Sequence, residues 1–320
     1  MFLSFIEVIA GLICLVFGAD RFVTGAVQIS RVIGVSPLII GLTIVGMATS
    51  APEILVGVVA ALDNKTNIAV GNAIGSNIAN IGLVLGGAII FRPFITTAKK
   101  LGREYLAMMC AAFIGLAVMV DSYLGQSDGV ILLFCLICFL AWSIHIAKTT
   151  EAPSFKNGST TPYPLASDNI AKPTVLFCVG LAILFVGAEL LVRGSTSVAK
   201  MFGLSDLVIG LTIVAVGTSL PELAASIMSI VKKEPDIAIG NIIGSNIFNM
   251  LAVLSIPVLI HPANFELDLL TRDFSIMLGL SLFLGWIIFI YKKYDRLHGF
   301  ILLSIFLSYQ CWLLIRVTGT

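Results

Sequence analysis

Charge is scarce in this chain. Lys, Arg, Asp and Glu supply 12% of the 320 residues, about half the share in a typical soluble domain. The net charge of +1 says nothing about partners, and with no basic patch the chain carries no electrostatic footprint for nucleic acid. Histidine is scarcer still. His145, His261 and His298 are expected at helix ends or loops, in interfacial roles, so a soft-metal centre has little to draw on. The six cysteines, Cys14, Cys110, Cys135, Cys138, Cys178 and Cys311, all sit in apolar stretches. Cys135 and Cys138 form a CxxC inside LLFCLICFL, with no second CxxC or histidine pair beside it. They read as buried apolar cysteines and not as a redox or zinc motif. The N-terminus lacks a positive region and a small-residue cleavage site, so it reads as a membrane helix and not as a removed signal peptide.

What the chain has in quantity is uninterrupted apolar length, with 58% hydrophobic residues. Several segments run about 18 residues or more almost without charge, long enough to cross a hydrocarbon core of about 30 Å. Most lack the polar face a soluble amphipathic helix needs. The expected fold class is therefore all-α integral membrane. Ten helices are predicted over 2–25, 37–62, 68–91, 104–121, 128–147, 173–198, 206–231, 236–260, 273–291 and 298–316. Residues 148–172, KTTEAPSFKNGSTTPYPLASDNIAK, form one substantial polar segment and read as a linker. It separates a first unit, 1–147, from a second, 173–320.

The two units are copies of one pattern. LTIVGMATSAPE at 42–53 recurs as LTIVAVGTSLPE at 211–222, and GNAIGSNIAN at 71–80 recurs as GNIIGSNIFN at 240–249, both displaced by 169 residues. Gly34 and Gly203, Pro93 and Pro262, and Arg103-Glu104-Tyr105 and Arg272-Asp273-Phe274 keep the same offset without a gap. Five helices per copy is an odd number, so the copies enter the membrane in opposite directions. That is an inverted repeat, a recurring transporter design with its site near the midplane.

The repeated motifs carry the polar residues. Glu53 and Glu222 fall near the middle of the second and seventh helices, where a carboxylate needs a cation, a proton or a partner. Neither helix has a Lys or Arg at its apolar centre, so the compensating charge is an ion or proton. Thr49 and Ser50 precede one glutamate, and Thr218 and Ser219 the other. Pro52 and Pro221 have no N–H, which frees the carbonyls of Ala48 and Gly217. Ser76 and Asn80, and likewise Ser245 and Asn249, are four residues apart and share a helix face. Asn72, Asn77, Asn241 and Asn246 divide between ligand and helix-joining roles. Gly71 with Gly75, and Gly240 with Gly244, are expected to let helices approach closely. Carboxylate, hydroxyl, amide and carbonyl oxygens suit hard cations such as Ca²⁺ and Na⁺. Asp20 and Glu189 also match across the repeat, and their expected place near the ends of helices one and six suggests an interfacial or capping role.

The pair GMATSAPE…GNAIGSNIAN and AVGTSLPE…GNIIGSNIFN resembles the two alpha repeats of the sodium/calcium exchangers, within the calcium/cation antiporter superfamily. The ten-helix layout and linker resemble its short prokaryotic members. The resemblance implies two inverted five-helix halves around four central ion-binding helices. It implies that Glu53 and Glu222 are shared Ca²⁺ and Na⁺ ligands. It also implies that Thr49, Ser50, Ser76, Asn80, Thr218, Ser219, Ser245 and Asn249 complete the sites, with carbonyls from Gly46 and Ala215, and that the first and sixth helices slide across this core. Some members carry aspartate where this chain has Asn249, which leaves two central carboxylates here.

The implied activity is secondary antiport of Ca²⁺ against Na⁺ by alternating access, with the transported ions and the bilayer as partners and no cofactor. Ca²⁺/H⁺ antiport is the first alternative, since protons suit the same glutamates. A passive cation channel fits an inverted repeat in one chain poorly. An intramembrane enzyme lacks a histidine or cysteine beside the motifs. Of the nineteen lysines and arginines, fourteen fall on the linker side of the predicted helices. This predicts a cytoplasmic linker, both termini outside, and a place in the cell (inner) membrane.

Overall fold

A computed structural model of the chain describes residues 2–95, 101–149, 169–203, 213 and 215–318. Of the expected linker 148–172, residues 150–168 lie outside the described residues, as do 206–212 and 214 of the expected seventh helix. The fold is all-helical. Its elements are α1 (Phe2–Ile33), α2 (Pro37–Leu62), α3 (Thr66–Phe91), α4 (Leu101–Met119), α5 (Gln126–Thr149), α6 (Ala171–Met201), α7 (described as Ala215–Gly217 and Leu220–Val231), α8 (Pro235–Ile260), α9 (Leu269–Tyr291) and α10 (Arg296–Thr318). Among the described residues, nine of these are long and apolar enough to cross a membrane. The ten helices form two inverted repeats of five. The turns keep the repeat as well: Gly34 and Gly203 are left-handed at φ 68° and 80°, and Asn64 and Lys233 at φ 57° and 62°.

Burial grades from the centre outwards. In α8, 89% of the most apolar window is buried, and in α3 72%, against 28% in α1, α5 and α6. The central pair α3 and α8 is enclosed by one large apolar cluster that includes Ile74, Ile78, Ile81, Ile243, Ile247 and Leu254. Residues such as Leu12, Ile13, Phe134, Ile137 and Val175 point outwards, as expected of helices solvated by lipid. The cysteines follow this outer surface and not the core. Cys110, Cys138, Cys178 and Cys311 are exposed and Cys14 and Cys135 half-buried, all as free thiols. Apolar surroundings were read correctly, but in a membrane protein the apolar solvent lies outside, so apolar sequence does not mean buried position. His298 lies in the first turn of α10, at a helix end as expected. It is buried, and its Nδ1 accepts the Asp295 backbone N–H at 3.3 Å.

α1 is longer than expected, running eight residues past 25. The charges along it are paired: Asp20 with Arg21 and Lys232, and Arg31, beyond the expected end, with Glu234. Asp20 therefore lies well inside α1, and the exposed Glu189 well inside α6. Neither caps a helix end.

α1 and α6 pack on each other through glycines at seven-residue intervals, Gly11, Gly18 and Gly25 against Gly180, Gly187 and Gly194, each set matching the other at the 169-residue offset. A Cβ on Gly18 would lie 2.6 Å from the Leu184 nitrogen, and one on Gly187 2.6 Å from the Leu15 nitrogen. Only glycine permits this approach, so the two long helices form one packed unit. Gly240 and Gly244 play the expected part for α8, whose backbone meets that of α2 at Leu38 and Leu42. Gly71 and Gly75 do not play that part: apart from their own helix backbone and chain neighbours, no described atom lies within 4 Å of a Cβ placed on either.

Candidate functional site

α2 is broken at its polar motif. A helical segment ends at Thr49, Ser50 stands at φ −81°, ψ 0°, and a new segment runs Ala51–Leu62. α7 repeats the break, with Ser219 at φ −89°, ψ 3° before Leu220–Val231. The cause is local: Pro52 and Pro221 sit in the first turn of the second segment and supply no N–H to the turn before. Glu53 and Glu222 thereby fall in the first turn of a half-helix, where the unpaired N–H groups and the helix dipole favour negative charge. α3 and α8 change pitch at matching points. Wider π-type turns run Asn80–Leu85 and Asn249–Val253, each beginning at the asparagine expected to be a ligand. Such bulges recur at functional sites because they re-aim side chains and carbonyls.

The expected ligands converge from α2, α3, α7 and α8. Thr49, Ser50, Glu53, Ser76, Asn80, Ser219, Glu222, Ser245 and Asn249 are all buried, each at 5% exposure or less. The Thr49 hydroxyl lies 3.0 Å from Asn241 Oδ1 and 3.2 Å from Ser245 Oγ, and Ser245 Oγ donates to the Gly46 carbonyl at 3.4 Å. α2 and α8 are thus joined at the motif. Glu222 lies close enough to Glu53 for the two carboxylates to interact. Thr218 is half-buried beside a cavity, and Ala215 opens the described part of α7.

The asparagines separate into two kinds. Asn72 donates to the Glu53 carbonyl at 3.3 Å, Asn77 to the Asn246 carbonyl at 3.3 Å, Asn241 to Ser226 Oγ at 3.2 Å, and Asn246 to the Ile242 carbonyl at 2.6 Å. The first three of these bonds join neighbouring helices, while that of Asn246 stays within α8. Asn249 spends its amide N–H on Asn77 Oδ1 at 3.1 Å and leaves its own oxygen free. Among the described residues, six buried oxygens of the motifs have no hydrogen-bond partner: Ser50 Oγ, Glu53 Oε2 and Asn80 Oδ1, and their repeat-mates Ser219 Oγ, Glu222 Oε2 and Asn249 Oδ1. A buried polar group left unsatisfied costs about 1–3 kcal/mol. Here three matched pairs of such atoms, acceptors or potential acceptors, fall at the repeated motifs. Among the described residues no three His, Cys, Asp or Glu cluster together. Ser226, buried behind Asn241, was not anticipated. It matches Gly57 in the first repeat, so repeat-matching could not flag it.

The family model for sodium/calcium exchanger protein matches residues 3–145 and 172–315. The chain belongs to the sodium/calcium exchanger family. It is 40% identical to the putative antiporter CaxA of Alkalimonas amylolytica, over 97% of this chain and 98% of that protein. It is 38% identical to the inner membrane protein YrbG of Escherichia coli strain K12, over 88% of this chain and 87% of that protein. Its fold superposes on a solved structure of the sodium-calcium exchanger NCX_Mj, soaked with zero Na⁺ and Ca²⁺, with a TM-score of 0.83. Sequence identity to that exchanger is 34%, covering 98% of this chain and 99% of that one. The chain is thus an integral membrane antiporter of this family.

Proposed function

We propose that this exchanger expels Ca²⁺ in exchange for Na⁺, by alternating access, across the cell (inner) membrane. The three matched pairs of unpartnered buried oxygens on Ser50, Glu53 and Asn80 and on Ser219, Glu222 and Asn249 carry the reading. Thr49, Ser76, Thr218, Ser245 and the carbonyls of Gly46 and Ala215 complete the ligand set. Two carboxylates neutralise one divalent ion or two monovalent ones, so Ca²⁺ and Na⁺ compete for them, and a loaded, neutralised site crosses more easily than a bare one. Hydroxyl, amide and carbonyl oxygens favour Na⁺ over a proton as the counter-ion, because a proton needs only the carboxylate. The NCX_Mj exchanger, soaked with Na⁺, Ca²⁺ and Sr²⁺, has the same fold. By the excess of basic residues, both termini lie outside and the 148–172 linker, between units 1–147 and 173–320, lies in the cytoplasm.

Counter-ion dependence of ⁴⁵Ca²⁺ flux in vesicles tests the reading. Na⁺-loaded vesicles diluted into Na⁺-free medium at fixed pH should take up Ca²⁺. S76A or S245A should weaken the Na⁺ dependence more than the pH dependence. Uptake driven by a pH gradient and indifferent to Na⁺ would establish Ca²⁺/H⁺ antiport instead.

A further inference from the structure

The inverted repeat is symmetric in shape but not in charge. Lys232 Nζ lies 2.6 Å from Asp20 Oδ1, and Arg31 lies 3.5 Å from Glu234. Both pairs tie α1 to the three-residue turn between α7 and α8; Arg31 and Glu234 are 17% and 15% exposed, and Lys232 12%, while its partner Asp20 is 31% exposed. The 169-residue offset maps Asp20 and Arg31 of α1 onto Glu189 and Lys200 of α6, with signs kept. It maps Lys232 and Glu234 of the turn onto Asp63 and Lys65 of the α2–α3 turn, with signs reversed. The two turns have the same backbone shape, with Asn64 and Lys233 left-handed at their centres. If α6 closed on the α2–α3 turn as α1 closes on the α7–α8 turn, Glu189 would face Asp63 and Lys200 would face Lys65.

The packing follows the same asymmetry. α1 packs along α7. On the other side, a cavity of about 510 Å³ opens between α6 and α2, lined by Pro52, Leu55 and Val56 on one wall and Phe185, Glu189 and Val192 on the other. Asp63, Lys65 and Glu189 are all exposed.

We propose that these charges bias the exchanger's conformational equilibrium: two opposite-charge pairs clasp α1 to the α7–α8 turn and hold the linker side shut, while like charges at the repeat-related positions oppose the mirror-image closure of α6 on α2. The proposal rests on the alternating-access reading, in which the inverted halves exchange arrangements. It concerns the balance between the two states and not the identity of the ions. The resting protein keeps the α2–α6 groove open, and ion loading must overcome the clasp to move α1 and α6 together.

Double spin labels at positions 55 and 192, in a cysteine-free background in proteoliposomes, report the groove width. With the other charges intact, the labels should give one long distance. K232D, which sets a second carboxylate against Asp20, and E234R, which faces Arg31 with a like charge, should each raise the short-distance fraction about three- to ten-fold. R31E/E234R should restore the long distance. K65E, which faces Lys200 with opposite charge while leaving the clasp intact, should also raise the short-distance fraction. Unchanged distances in K232D, E234R and K65E variants that remain monodisperse, or failure of R31E/E234R to reverse E234R, would overturn the proposal. Distances are read without ion flux. A protein that failed to exchange Na⁺ for Ca²⁺ yet showed these shifts would refute the proposed function and leave the charge bias standing.

Discussion

Glu53→Gln and Glu222→Gln probe the site with the least change in shape. Each keeps the side-chain volume and exchanges one carboxylate oxygen for an amide. In the structure the two carboxylates are 1% and 2% exposed, each with an oxygen lacking a partner. Without a cation, burial and mutual repulsion make it costly for both to carry charge. With Ca²⁺ they form a neutral cluster. Removing one partner from a buried charge cluster costs about 3–5 kcal/mol, which lowers Ca²⁺ affinity about 10²- to 10⁴-fold. The same substitution removes charge repulsion and desolvation from the cation-free protein, so its stability without Ca²⁺ should rise. Thermal unfolding of purified protein in detergent separates the two effects. The unaltered protein should gain about 2.7 kcal/mol of stability at a Ca²⁺ concentration 100 times its Kd. Both glutamine variants should unfold at higher temperature without Ca²⁺ and lose the Ca²⁺-dependent gain. ⁴⁵Ca²⁺ exchange in vesicles should vanish while membrane insertion persists. A glutamine variant that kept its Ca²⁺-dependent stabilisation, or exchanged Ca²⁺ at the original rate, would refute the assignment.

Other consequences follow from the same geometry. Asn249→Ala should weaken Ca²⁺ or Na⁺ binding by removing an oxygen without a protein partner, whereas Asn246→Ala should mainly cost stability, about 1 kcal/mol, with cation affinity nearly kept; isothermal titration and thermal unfolding of both variants check this. Gly187→Leu should force α1 and α6 apart at Leu15, where even a Cβ would lie 2.6 Å from backbone, at a cost of about 1–3 kcal/mol or more, seen as a lower unfolding temperature and slowed exchange. A cysteine placed at Ser159 in a cysteine-free background should resist an impermeant thiol reagent in intact cells, and its labelling would reverse the proposed orientation.

Two levels of information made this protein legible. Membrane class, ten helices, the inverted repeat and the motif residues all followed from local chemistry. Apolar length is read directly from composition, and a repeat is a comparison of the chain with itself. Pro52 and Pro221 announced the helix breaks because a missing N–H acts wherever the residue sits. Tertiary structure decided what depends on partners distant in the chain. Asn80 and Asn249 differ from Asn77 and Asn246 only in what faces their amides, so sequence could not settle which oxygens stay free. In the stretch of α1 beyond residue 25 the one charge, Arg31, is met by Glu234, about 200 residues away in the chain, a partner that sequence does not show. The cysteines were misplaced because an apolar residue in a membrane helix faces either lipid or neighbouring helices, and both surroundings are apolar. The seven-residue glycine spacing of α1 and α6 was visible in the sequence, but only the packed helices show that each set faces the other.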